Sequence, residues 1–217
     1  MKTKIQEETR RRTSEALYAV NQANTVYGLV FIVLAEFPGF ESEKWFFKLA
    51  AQIRSSDFVS QNEAPDTMIE AAFREVADNR LPRLLCISLI SIIEACLEDI
   101  AVIELAARRG LPSEEAAKEA KKIMRKSPAA YLESLNELGL TFVAGPHWQE
   151  LREIVATRNV LVHRSQLVAD EGYIKQAGNL ARAPLGAPLV VDSSYFYDSI
   201  IAIRAMLYEI LAQPDTT

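Results

Sequence analysis

The chain has 217 residues, 49% hydrophobic and 24% charged, with a net charge of −5. That length and composition support a buried core, and the acidic balance excludes a general coat for nucleic acid, which needs a basic surface. Glycine is scarce at 8 residues, against a usual share of about 7%, and strand-rich folds spend glycine on tight turns, so an all-α fold is expected.

The opening MKTKIQEETRRRTSEA is polar and lacks the apolar segment of a secretory signal. A first helix is expected over 4–36, with Leu17, Val20, Tyr27, Val30, Ile32 and Leu34 on its apolar side and Pro38-Gly39 after it. Its most apolar part, Val26 to Phe37, is shorter than the about 20 residues a bilayer span needs, so it reads as a core helix. Helices follow over 41–54, with Trp45, Phe46, Leu49 and Ile53, and over 66–78, with Met68, Ile69, Phe73 and Val76, joined by a polar link over 55–65. Tyr18, Val26, Tyr27, Phe31, Trp45, Phe46 and Phe47 make this region unusually aromatic. Packing against the rest of the chain is its expected role, ahead of a docking face.

The strongest helix spans 81–109, with proline at its start and Gly110 after its end, the order that helix termini favour. It is apolar on most sides and so belongs at the centre. The next runs over 113–126, with Ser113 as candidate N-cap, Glu114 and Glu115 in the first turn and basic residues in the last. Ser127-Pro128 opens a helix ending at Gly139, and Gly145-Pro146 opens another reaching about Val162. Periodicity is lost from Arg164 to Asp192, where short apolar pieces near Ile174 and at Leu189 to Val191 are candidates for a small hairpin. Asp192 or Ser193 caps a last helix carrying Ile200, Ile203, Met206, Leu207, Ile210 and Leu211. The expected architecture is an up-and-down bundle over 81–213 with an N-terminal helical extension over 1–78.

Two basic runs, Arg10 to Arg12 and Lys118 to Lys126, read first as solvated helix faces. Cys86 and Cys96 lie on one helix, about 15 Å apart along its axis, too far for a disulfide and suited to a reducing cytosol. No Cys/His cluster has metal-ligand spacing, and no cofactor-binding motif is found, so no cofactor is expected. His147, beside Trp148 at a helix start, reads as a surface or capping histidine.

The other histidine closes the segment ELREIVATRNVLVHRSQ. Asn159 and His163 are one helical turn apart and share a face. Arg158 sits about 140° from His163 on a straight helix, and fraying at the end would bring the two to one edge. Arg and His near a helix C-terminus also suit the helix dipole, and that purely structural role has equal weight on this segment alone.

The R-N-V-L-V-H segment resembles the R-x4-6-H motif of HEPN domains, including the polar residue directly after the arginine. The order of elements is also similar: a penultimate helix carrying the motif, a loop, and a closing helix. The early helix with Ser91 and Glu94, in SLISIIEACLED, resembles the family's early helix with its polar or acidic residue facing the motif. The resemblance covers 81–213 and leaves 1–78 unassigned.

The resemblance implies a metal-independent endoribonuclease of a toxin or antiviral-defence system, cytoplasmic and acting as a homodimer. Two motifs face each other across the two-fold axis. Attack by a 2′-OH needs a base, an acid and a positive group, and two histidines with two arginines supply them. His163 would be acid and base, Arg158 the phosphate ligand, Asn159 an orienting group, and Glu94 a support for Arg158 or for the histidine tautomer. Products would be a 2′,3′-cyclic phosphate and a 5′-OH. The implied partners are RNA, a second copy, and an antitoxin or sensor protein, with no membrane. Other members of the family lack nuclease activity, so the alternative is a non-catalytic module binding a protein or nucleotide. An unrelated bundle carrying the motif by chance is the third reading.

Overall fold

A computed structural model describes residues 2–36, 80–164 and 167–212. Among them the chain is all-α, with seven α-helices: α1 (Lys2–Glu36), α2 (Leu81–Arg109), α3 (Ser113–Met124), α4 (Pro128–Glu137), α5 (Pro146–His163), α6 (Glu171–Ala177) and α7 (Ser193–Leu211). The helices expected over 41–54 and 66–78, their polar link, and Trp45, Phe46 and Phe47 lie outside the described residues. So do the side chains of Val26, Tyr27 and Phe31. Tyr18, the remaining aromatic of that group, is exposed.

Helix α2 is the hub, packing against α1, α3, α5 and α7. Its residues Leu89, Ile90, Ile93, Leu97, Ile100 and Leu105 are wholly enclosed, as the apolar run of its sequence requires. Pro82 lies in the first turn, and Gly110 ends the helix in the left-handed conformation with φ 65°, where glycine has no Cβ to clash. Helix α1 docks on α2 and α7, with Ala16 and Val20 sharing the main core of the bundle and Thr13 buried. Arg12 Nη1 adds an ion pair to Asp99 Oδ2 at 3.1 Å. Arg11 is paired with Glu8 and Glu15 along the same helix. Lys118 and Lys122 are likewise paired, with Glu114 and Glu119, and Lys126 Nζ donates to Ser134 Oγ at 2.8 Å.

Three local expectations are corrected. Pro112, not Ser113, is the N-cap of α3, and that helix stops at Met124. The stretch after Arg164 is not wholly irregular, because Asp170 accepts a hydrogen bond from Tyr173 N and caps the short helix α6. Ile174 lies inside that helix, so it forms no hairpin with Leu189 to Val191. The local pairing is instead one isolated antiparallel bridge, Val168 with Pro188. It is backed by Ala169 N to Ala187 O and Leu189 N to Leu167 O, each 2.9 Å. Glycine and proline density hid α6, because seven residues are too few to show a period. For α7 the cap is Asp192, whose side chain accepts from Tyr195 N at 3.0 Å.

Cys86 and Cys96 are free and buried, and burial pushes both thiols up to about 12. Among the described residues no helix is long and apolar enough to cross a membrane.

Candidate functional site

Helix α5 carries the motif, and its helical spacing decides where each side chain goes. Leu151, Ile154 and Val155 are buried, and Arg158 follows them at the next turn of the same stripe. Arg158 therefore points back toward the bundle. On α2, Glu94 stands one turn after Ile90 and beside Ile93, both fully buried. The two meet across the helix pair, with Arg158 Nη2 donating to Glu94 Oε2 at 2.6 Å and side-chain exposures of 22% and 25%. Burial raises the Glu94 carboxyl above its ordinary value, against the opposing pull of the Arg158 charge. Glu94 thus holds the arginine, and the structure gives it no contact with a histidine.

Asn159 turns the other way, toward α6, where its Nδ2 donates to Gln176 Oε1 at 3.1 Å. His163 is the last residue of α5 and is exposed. No hydrogen bond holds its imidazole among the described residues. The expectation that the helix frays near His163 is corrected: α5 stays helical through it, and Arg164 turns extended, with φ −120° and ψ 142°. Arg158 and His163 therefore stay about 140° apart around the axis, and within one protomer they do not converge. Asn159 and His163 do share a face.

Tyr131 of α4 is 1% exposed. The charges of Glu94 and Arg158 both act on its hydroxyl, and burial pushes its pKa up. Among the described residues neither the Tyr131 hydroxyl nor the Arg158 Nε has a hydrogen-bond partner, and both atoms are buried.

Helix α5 carries a second polar centre that the sequence did not disclose. Glu153, 3% exposed, accepts hydrogen bonds from Thr157 Oγ1 at 2.8 Å, Tyr173 Oη at 2.9 Å and Tyr195 Oη at 3.0 Å. Arg182 Nε lies 3.5 Å from the same carboxylate, and Nη1 pairs with Asp198 at 3.1 Å. The Arg182 guanidinium also sits over the Tyr195 ring, 4.6 Å from its centroid. One carboxylate thereby ties α5 to α6, to α7 and to the loop between them. The one signal in the sequence was a Glu and a Thr at i, i+4 among residues that otherwise read as core. Such a pair is also ordinary on a solvated face, so only the packing of α6 and α7 against it reveals the role.

A cleft of about 390 Å³ opens beside this centre, lined among others by His147, Glu150, Glu153, Arg182 and Asp198. It does not include Arg158, Asn159 or His163. Its charged side chains already pair with one another, and it is open to solvent. His147 at the cleft edge is half exposed and within 4.0 Å of Glu150 and 3.9 Å of Glu209, as a surface histidine at a helix start. Among the described residues no group of three or more His, Cys, Asp or Glu side chains is placed to hold a metal ion.

Fold and site together define an all-α bundle with a compensated arginine and an exposed histidine on one helix. Comparison of the chain with protein-family models, with curated proteins and with solved structures gives no match.

Proposed function

We propose that this protein is a metal-independent endoribonuclease with a HEPN-like site completed by a second copy of the chain. The observation that supports this most is the pairing on α5 of an anchored arginine with a free histidine. Glu94 fixes the Arg158 guanidinium at 2.6 Å, while His163 stands exposed at the helix end with no hydrogen bond to its ring among the described residues. A buried or committed histidine would have removed the reading.

The geometry also gives a reason for two copies. One α5 supplies one imidazole, and it points away from its own arginine. Cleavage by an adjacent 2′-OH needs two proton transfers: one imidazole takes the 2′-OH proton as the 2′-oxygen bonds to phosphorus. The other gives a proton to the departing 5′-oxygen as the P–O5′ bond breaks. Two copies across a two-fold axis supply both imidazoles, and an Arg158 guanidinium balances the charge on the phosphorane. Asn159, tied to Gln176 at 3.1 Å, orients the His163 face. Defence or toxin action on cellular or phage RNA is the role this chemistry fits.

The test is incubation of purified wild-type and His163→Ala protein with structured and unstructured RNA in EDTA, with the product ends analysed. Cleavage by the wild type alone, leaving 2′,3′-cyclic phosphate and 5′-OH ends, is the expected result. A dimer that binds RNA but cleaves none would assign the site to binding, and a strict monomer would remove the composite site.

A further inference from the structure

On the face of α5 that carries His163, the arginine is Arg152 rather than Arg158. Helix α5 is unbroken from Pro146 to His163, so Asn159 and His163 each lie within about 20° of Arg152 around its axis. The contacts agree with that placement. Asn159 bonds to Gln176 of α6, and Arg152 Nη2 lies 3.6 Å from where a Cβ would stand on Gly178, the C-cap of α6. Both side chains thus meet α6, and Arg152, Asn159 and His163 form a row along one edge of the α5–α6 pair. Among the described residues Arg158, Arg164 and Arg182 are each paired with a carboxylate. Arg152, partly exposed, has no hydrogen bond or ion pair to its side chain among the described residues, and its Nε is buried without an acceptor. An uncompensated guanidinium can grip two oxygens of a phosphate through its terminal N–H groups. About 16 Å of helix axis separates Arg152 from His163, further than neighbouring phosphates of one RNA strand stand apart.

We propose that Arg152 is a substrate-positioning residue, its guanidinium holding a phosphate of the RNA strand more than one nucleotide away from the bond on which His163 acts. The strand runs along the α5–α6 edge, past Asn159, and Arg152 fixes its register without taking part in the chemistry. A single row of donors on an open helix edge follows the backbone of an unpaired, extended strand. The inference rests on the reading of His163 as a reacting imidazole. It adds a substrate requirement to that reading: an RNA long enough to reach from His163 to Arg152.

The test uses the full chain and 2′-O-methyl RNA, which has no 2′-hydroxyl to attack and so is bound without being cut. Binding of a dinucleotide and of an octanucleotide is followed by the NMR resonance of the His163 ring, assigned by its loss in His163→Ala. In the wild type both shift this resonance saturably, and the octanucleotide binds more tightly. Arg152→Gln weakens the octanucleotide about tenfold, the scale of one hydrogen bond to a charged group. It also flattens the slope of log affinity against log salt by about 0.7, the share of one phosphate contact on a single strand. Dinucleotide affinity is unchanged, because its one phosphate cannot reach from His163 to Arg152. Arg152→Lys keeps the salt slope, and both variants keep the wild-type urea midpoint. The proposal is overturned by equal octanucleotide affinity in wild type and Arg152→Gln, by the same loss with the dinucleotide, or by loss of the salt slope in Arg152→Lys. It is equally overturned by an Arg152→Gln chain that is destabilised or fails to fold, which would make the residue part of the fold. RNA cleavage is scored separately. A wild type whose binding depends on Arg152, yet which cuts no RNA, retains Arg152 as an RNA contact and refutes the nuclease reading. A wild type that cuts RNA with the same KM as Arg152→Gln retains the nuclease reading and refutes this inference.

Discussion

Replacing Glu153 by alanine tests whether the buried carboxylate organises α5. Three hydroxyls donate to it at 2.8, 2.9 and 3.0 Å. A hydrogen bond to a charged group contributes at least about 1.5 kcal/mol, so the three together contribute about 4.5 kcal/mol. The Arg182 contact at 3.5 Å is partly solvated, with the arginine side chain 43% exposed, and adds less than about 1 kcal/mol. Against this, removing a buried charge relieves its desolvation and offsets part of the loss. The expected net cost of Glu153→Ala is about 3–4 kcal/mol. Glu153→Gln keeps the shape and one acceptor oxygen and costs about 1–2 kcal/mol. Urea denaturation followed by far-UV circular dichroism measures both. Hydrogen exchange localises the effect, since Arg182 N donates to Tyr173 Oη at 2.8 Å and loses protection when Tyr173 loses Glu153. A Glu153→Ala protein within about 1 kcal/mol of wild type would show that the carboxylate's burial cost cancels its bonds, and the account of this centre would be wrong.

His163→Ala abolishes RNA cleavage while stability stays within about 0.5 kcal/mol of wild type, as for an exposed residue away from any packed feature; a large drop in urea midpoint refutes its placement. Arg158→Ala also abolishes cleavage but costs about 1–2 kcal/mol, because it leaves a mostly covered Glu94 carboxylate unpaired. Glu94 sets a pH dependence. Its folded pKa is raised above the ordinary 4.5, so the folded protein keeps this proton to higher pH than the unfolded chain. The stability it contributes is present below 4.5 and lost as pH rises through the folded value. The stability of wild type relative to Glu94→Gln therefore falls from acid toward neutral pH, and a flat or rising difference contradicts the burial effect. Cys86 and Cys96, with thiols pushed up to about 12, resist alkylation in the native protein and react once it is unfolded. Rapid native labelling at either refutes their burial.

The elements that the sequence declared were those whose signal is local. Pro82 and Gly110 mark the ends of α2 because φ preference and the missing N–H act on a single residue. Asp192 marks the start of α7 because its carboxylate needs only a backbone N–H three residues on. The free state of the cysteines followed from helical rise alone. The motif residues were also readable, because their order is a property of the chain: Arg158, Asn159 and His163 lie on one helix, with Glu94 on an earlier one.

Tertiary structure decided everything that depends on which helix faces which. Glu94 and Arg158 are far apart in sequence, and nothing local says that they bond to each other rather than to water. Helix α6 was missed because its seven residues, about two turns, draw their order from Tyr173 packing and bonding against α5, not from periodicity. Glu153 was missed for the same reason: a carboxylate is read as solvated until its neighbours are known, and here Tyr173, Tyr195 and Arg182 all arrive from later elements. Sequence set the chemical inventory and the helix limits, because capping and periodicity act over a few residues. The fold alone set the pairings, because burial and charge compensation are properties of contacts between helices.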